Sequence, residues 1–291
     1  SRDFSINSIA FLFDKKCLFD PLNGLKDLEI SLLRTHSEKN LLNDPLRILR
    51  CFRFVSELNF KIDSKLVNFI KKNKRKLFLV AQERINYEIK KIVNGGNALQ
   101  AAILLRKLNI FGSDDLYKDS FFLDLQKIKY EEFSQNEKEI FLPSFFIAQI
   151  FDEASLEKFR FSKLEIVKIK LLRKWHLFLK NKNIAQLNEL DRFKLHQELE
   201  MFLPSFVFYL PQNLHFDWLK RWRDKEDKLF HPSNFINGDV IKNNLKIDDG
   251  PKLGELLKYL SKEFAYKRLN NFDEAIYKAK QWIEQNAPKC D

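Results

Sequence analysis

The strongest constraint on this sequence is a change of hydrophobic period near residue 33. Ahead of it, Phe4 to Phe13 (FSINSIAFLF) is β-branched and aromatic with no helical repeat, and reads as a strand. Asp14 to Cys17 reads as a turn and Leu18-Phe19 as a short return strand. Asp20-Pro21-Leu22-Asn23-Gly24 is loop chemistry, with Pro fixing one φ and Asn or Gly supplying φ > 0. Beyond Leu33 the pattern turns helical and stays so. From Leu41 to Leu58 the apolar residues Leu42, Leu46, Leu49, Phe52 and Val55 recur close to every 3.6 residues, with Asp44 read as N-cap and Pro45 at the first helical position. Asp63 caps a helix reaching Lys74. Glu83 to Val93 is a third helix, stopped by Gly95-Gly96, and Asn97 to Leu108 a fourth. Further helices are expected over 121–129, 136–151, 155–180, 184–202, 214–222, 251–264 and 272–286, punctuated by Pro143, Pro204 and Pro211, with a looser stretch from Pro232 to Gly250. The fold class expected is mainly α: a sliver of sheet followed by an all-helical remainder.

The 291 residues can bury sizeable cores, and 29 phenylalanines make those cores Phe-rich. Only seven glycines are present, and neither GxGxxG nor GxxxxGK[ST] occurs, which argues against a glycine-rich phosphate cradle. The 51 Lys and Arg against 40 Asp and Glu leave +11. That surplus fits a polyanionic partner, most simply nucleic acid, and on charge alone fits a solvated Lys-rich surface equally well. Cys17, Cys51 and Cys290 are too far apart for a disulfide framework and form no CxxC zinc pattern, so a reducing, cytoplasmic setting is the default expectation. The longest uncharged run, Met201 to Phe216, carries two prolines and falls short of the ~20 apolar residues of a spanning helix. The start at Ser1, directly ahead of an apolar strand-like run, reads as a chain that begins partway through a domain.

Two clusters carry most of the chemistry. In Asn43-Asp44-Pro45-Leu46-Arg47-Ile48-Leu49-Arg50-Cys51-Phe52-Arg53, Asp44 and Arg47 stand three apart at a helix start and share a face. A carboxylate beside a guanidinium can read a base edge. Adenine offers an amino donor to the carboxylate and the N1 acceptor to Arg, cytosine an amino donor and N3 in the same order, while guanine and uracil reverse that order. Arg50 and Arg53 drift around the helix, so that Arg53 lies roughly opposite Asp44 and suits phosphate or RNA better than a base. A capped amphipathic helix with a basic wet side is the alternative. Lys71, Lys72, Lys74, Arg75 and Lys76 crowd a helix end, where they suit the helix dipole and are also placed to meet RNA phosphates. Glu83 to Glu88 reads as helix capping, and Gly254 as a close backbone approach. Arg2-Asp3 opens the strand as an ion pair. No strand carries paired carboxylates, and Asp114-Asp115 and Asp248-Asp249 read as turn acids.

Taken in order, these segments resemble the class II tRNA nucleotidyltransferase/poly(A) polymerase family. Ser1 to Ser8 (SRDFSINS) is similar to the ribose motif RRDFTINA, Asp20 to Leu28 (DPLNGLKDL) to DPFGGxxDL, and Asn43 to Phe54 to the base-selecting EDPLRILRAxRF. Asn59 to Asp63 and Glu83 to Glu88 match LxFxID and ERIxxE, and Ile236 to Val240 and Gly250 to Leu257 match ITGxDL and GPxxGxxL. The resemblance implies a head remnant over 1–33, a nucleotide-selecting neck over 34–95, a body over 96–205 and a tRNA-gripping tail over 206–291. It implies that Arg2 and Asp3 meet ribose and phosphates, that Asp44 and Arg47 template A and C, and that Arg50 and Arg53 line the same pocket. ATP and CTP are the implied substrates, tRNA the partner, and Mg²⁺ the cofactor. The Mg²⁺ carboxylates of this family lie on strands ahead of the ribose motif, beside a GGxxRD segment, and neither is in this sequence. These 291 residues alone are therefore expected not to transfer nucleotides. A non-catalytic RNA-binding module and a poly(A) polymerase portion are the alternatives the same motifs allow.

Overall fold

The computed structural model describes residues 3–112, 119–180, 182, 184–233 and 236–286, so Ser1, Arg2, Asp114, Asp115 and Cys290 lie outside the described residues. The chain is 65% helical, in keeping with the mainly α expectation. It divides into two compact units, residues 1–173 and 174–291.

The first unit begins where the expected strand fails. Ser5–Ser8 is a single 3-10 turn, and only Ala10–Leu12 (β1) is extended, pairing antiparallel with Cys17–Phe19 (β2). The cause is polar side chains that bond the local backbone and compete with a ladder: Ser8 Oγ reaches the Phe4 carbonyl, and Ser5 Oγ donates to Asp27. Helix α1 (Gly24–Glu29) starts at Asn23, whose φ of 55° fills the left-handed position expected of Asn or Gly. Asp20 takes the Gly24 and Leu25 amides at 2.7 and 2.9 Å, and these hydrogen bonds hold its carboxyl below the usual range. Leu32–Leu33 (β3) pairs in parallel with Lys61–Ile62 (β4), a two-residue ladder with no clear sequence signal.

The helix expected over 41–58 is two helices. Glu38–Asn43 (α2) is capped by Ser37, and Arg47–Leu58 (α3) follows after a break at Asp44. Asp44 is thus the residue that ends α2, not the cap of α3, and Leu42 is half-exposed while Leu41 is buried. Helix α4 (Ser64–Asn73) is capped by Asp63 as read, and continues as a 3-10 turn over Lys74–Leu79. Helices α5 (Gln82–Val93) and α6 (Ala98–Lys107) also match their expected spans.

Over 121–129 only Leu125–Lys127 is helical, as a 3-10 turn, because the buried Gln149 side chain accepts from the Leu123 amide and donates to the Phe121 carbonyl. Helix α7 (Gln135–Ile150) runs straight through Pro143, since the burial of Phe141, Phe145 and Phe146 outweighs the ~3 kcal/mol that an interior proline costs. The expected 155–180 helix is broken into α8 (Glu153–Lys158) and α9 (Lys163–Leu179) by a left-handed Arg160 and by Ser162, which exchanges capping bonds with Glu165.

In the second unit, α10 (Glu189–Leu199), α11 (Leu203–Val207) and α12 (His215–Arg223) carry buried side chains including Phe193 and Phe206. The stretch read as loose holds a helix, α13 (Gly238–Leu245), capped by Asn237. It packs with α14 (Pro251–Ala265) and α15 (Phe272–Gln285) around Ile241, Leu256, Leu260 and Ala279. Gly254 has open space around it, contrary to the close approach expected there.

The close approaches are elsewhere. A Cβ on Gly24 would stand 2.4 Å from the Ser5 carbonyl oxygen, a backbone atom that cannot swing aside. Gly24→Ala is therefore expected to cost about 1–3 kcal/mol, read as a lower urea midpoint; an unchanged midpoint would contradict the contact.

Candidate nucleotide-binding and nucleic-acid interface

The first unit assembles a charge cluster from its chain start and α3. Phe4 is buried, edge-on to Phe54 at 5.5 Å, and this fixes the backbone of Asp3 over the start of α3. Thr35 Oγ1 donates to the Asp3 carbonyl at 3.2 Å, and the Ser5 amide to the Arg34 carbonyl at 3.0 Å. Beneath them Asp27, fully buried, accepts from Ser5 Oγ at 2.5 Å and from Arg34 Nη1 at 2.8 Å. The short 3-10 turn, α1 and β3 are thus held by one carboxylate.

Asp3, itself buried, faces two guanidinium groups. Arg47 Nε lies 3.1 Å from one carboxylate oxygen and Arg50 Nε 2.5 Å from the other. The Arg50 N–H does not point along a hydrogen bond to that oxygen, so this second contact is one of charge rather than a directed bond. Arg47 Nη1 also donates to the Asn40 carbonyl at 3.3 Å. One carboxylate against two guanidinium groups leaves a surplus positive charge, the sign that suits a nucleotide's phosphates.

Asp44 does not pair with Arg47 by side chain. Its carboxylate meets Arg84 of α5 at 3.1 Å, with the two side chains 33% and 54% exposed, while its backbone carbonyl accepts from the Arg47 amide at 3.0 Å. An exposed ion pair is worth about 0–1 kcal/mol, so a ligand that offers Asp44 a better donor can displace Arg84.

Arg53 is placed differently from the other two. Its Nη1 donates to both oxygens of Glu88 at 3.1 and 3.3 Å, and Nε lies 3.5 Å from Glu57. Arg53 therefore anchors α3 to α5 rather than presenting a free guanidinium to the pocket, and Glu88, expected to serve in capping, is its buried partner. The signal was available: Glu88 follows Ile85 by three residues, on the buried face of α5. Asp27 and Arg84 gave no comparable signal, since their roles depend on residues 22 and 40 positions away.

Of the basic run, Lys71, Lys72, Arg75 and Lys76 are exposed, while Lys74 Nζ donates to the Leu108 and Asn109 carbonyls at 3.2 and 2.8 Å and so caps the end of α6. Arg2 lies outside the described residues. Cys51 is buried behind Arg47, and that burial pushes its thiol well up, away from nucleophilic use. Among the described residues no group of three or more His, Cys, Asp or Glu could hold a metal ion, and Asp3 and Asp27 already face guanidinium groups. The described residues do not fit Mg²⁺. Among the described residues no helix is long and apolar enough to cross a membrane.

Residues 59–113 match the family model described as "Probable RNA and SrmB- binding site of polymerase A". The chain is 28% identical to a CC-adding tRNA nucleotidyltransferase of Synechocystis sp. over 309 aligned positions, covering 96% of this chain and 74% of that protein. It is 26% identical to a CCA-adding enzyme of Ligilactobacillus salivarius, over 98% of this chain and 71% of that protein. Its fold is that of the Bacillus stearothermophilus CCA-adding enzyme solved in complex with CTP, with a TM-score of 0.69 at 19% identity over 98% of this chain and 74% of that one. Together these matches support a member of the tRNA nucleotidyltransferase family.

Truncating Arg53 strands a buried carboxylate, which costs about 3–5 kcal/mol. Truncating Arg50 leaves Asp3 paired with Arg47 and is expected to cost about 1 kcal/mol or less. Urea denaturation of Arg53→Ala and Arg50→Ala checks the contrast, and equal losses would contradict it.

Proposed function

We propose that this chain serves the addition of C and/or A to the 3′ end of tRNA from CTP and ATP, with release of pyrophosphate. The observation that carries the reading is the arrangement at the start of α3: Arg47 held by Asp3, with Asp44 beside it on a weak, exposed partner. Once Arg84 is displaced, Asp44 accepts the exocyclic amino group of adenine or cytosine while Arg47 donates to the ring nitrogen next to it. Guanine and uracil would turn a carbonyl toward Asp44 and an N–H toward Arg47. Arg50 and Arg2 supply positive charge toward the phosphates, and Asp3 orients Arg47 and Arg50. CTP is bound in the Bacillus enzyme of the same fold, and tRNA in the Thermotoga maritima CCA-adding enzyme.

In this reading residues 1–33 are part of a catalytic head, 34–95 the nucleotide-selecting neck, 96–205 the body and 206–291 the tail. Lys71, Lys72, Arg75 and Lys76 are phosphate contacts. Phe11 and Leu18, paired across the β1–β2 ladder and both exposed, give that ladder an apolar face. The sequence holds no GGxxRD and no DxD, and none of its acids is assigned to the transfer step.

The test uses this chain, a tRNA transcript lacking its CCA end, Mg²⁺, and labelled CTP and ATP. Binding that weakens steeply with salt, without label incorporation, is expected. Absence of binding would overturn the RNA reading. Incorporation would place the transfer carboxylates among the acids of these 291 residues.

A further inference from the structure

The second unit contains a buried polar ring that the cluster at the start of α3 does not use. His196 of α10 is 1% exposed and packs against Phe230 at 4.1 Å and Trp218 of α12 at 5.1 Å between ring centroids. Its Nδ1 is buried and has no hydrogen-bond partner. A buried ring nitrogen without a partner costs about 1–3 kcal/mol, so its retention calls for a reason. Burial, reinforced by the Arg221 charge, pushes the His196 pKa down to about 3, and the ring is therefore neutral at physiological pH, one nitrogen donating and the other accepting.

The same three rings line a cleft of about 250 Å³, with Arg192 and Arg221 also in its wall. Ligand sites for drug-sized molecules run to roughly 300–1,000 Å³, so this one takes a single ring-sized group. Arg221 is held in place by Asp227 at 2.7 and 3.2 Å and lies over the Phe230 ring at 4.3 Å. Arg192 is half-exposed, and only weak 3.5 Å contacts to the Ile184 and Ala185 carbonyls restrain it. The cleft thus offers the partly exposed Trp218 ring, the buried, neutral donor–acceptor ring of His196 and a cationic rim. A planar heteroaromatic ring with a hydrogen-bonding edge and an attached anion matches all three, and a nucleotide carries that combination.

We propose that the His196–Trp218–Phe230 cleft receives one unpaired nucleotide of the bound RNA, its base against the Trp218 ring with an edge toward His196, and its phosphate toward Arg192. This rests on the reading that the chain binds RNA, and it adds a base-contacting subsite about the second unit's own aromatic cluster. Arg221, fixed by Asp227, shapes the wall, while Arg192 is the cation free to follow the phosphate.

The experiment follows the His196 and Trp218 ring resonances by NMR in the full chain. It uses two probes, AMP and the tRNA transcript lacking its CCA end, and adds transcript affinities of His196→Phe and Arg192→Gln. His196→Phe keeps a ring in the core and removes both nitrogens; Arg192→Gln alters a half-exposed side chain and leaves the core intact. The expected result is that both probes shift the ring resonances and that each variant binds the transcript about fivefold or more weakly, within the range of a single stacked base contact. Wild-type transcript affinity in both variants, with unmoved ring resonances, would overturn the proposal. Shifts with AMP alone, while the transcript binds elsewhere, would overturn it in favour of a free-nucleotide site. Failure of the unaltered chain to bind the transcript would strike the RNA reading itself, and the RNA subsite with it, whereas the AMP arm would still report whether the cleft takes a nucleotide.

Discussion

Asp3 stands buried against Arg47 and Arg50, and the geometry at the start of α3 follows from that contact. A carboxylate taken out of water needs opposite charge and hydrogen bonds to remain ionised. Here two arginines three residues apart on α3 supply the charge, and in return their long side chains are fixed in direction. The support runs deeper. Asp3 is positioned by Phe4 beneath Phe54 and by Thr35, and the turn that follows is tied through Ser5 to the buried Asp27. Gly24 lets α1 approach the Ser5 carbonyl closely enough for this to happen. The chain start, α1 and α3 therefore form one continuous support for Arg47.

Against that rigid support, Asp44 is loose in energetic terms. It lies at the break between α2 and α3, where no helix fixes it, and its partner Arg84 is more than half exposed. The contrast with Arg53 and Glu88 is one of burial. The same kind of ion pair, 13% and 6% exposed, is costly to break and so serves as an anchor. The start of α3 thus places a firmly held guanidinium beside a carboxylate that is easily released, as the proposed recognition of a base edge requires.

The helical remainder was legible because period and caps are local: Asp63, Asn97 and Gly95-Gly96 bound their helices as the sequence suggests. The motif order made the family visible where single motifs did not. What failed was decided at a distance. The Phe4 to Phe13 run is apolar enough for a strand, yet Ser5 is drawn away by Asp27, 22 residues on. The 121–129 segment loses its helix to the side chain of Gln149. Asp44 and Arg47 were read as a pair from spacing, but their partners, Asp3 for Arg47 and Arg84 for Asp44, depend on tertiary packing that a sequence pattern does not contain. His196 likewise carries no local mark, since its partners Trp218 and Phe230 lie on later elements.

Selection of A and C by Asp44 and Arg47 is tested most directly by equilibrium binding of the four nucleoside triphosphates to the chain. One bidentate base contact is worth about 1–3 kcal/mol, or about fivefold and upward in affinity. ATP and CTP are expected to bind at least that much tighter than GTP and UTP, with Asp44→Asn erasing the difference. Equal affinity for all four in the unaltered chain, or discrimination that survives Asp44→Asn, would contradict the assignment.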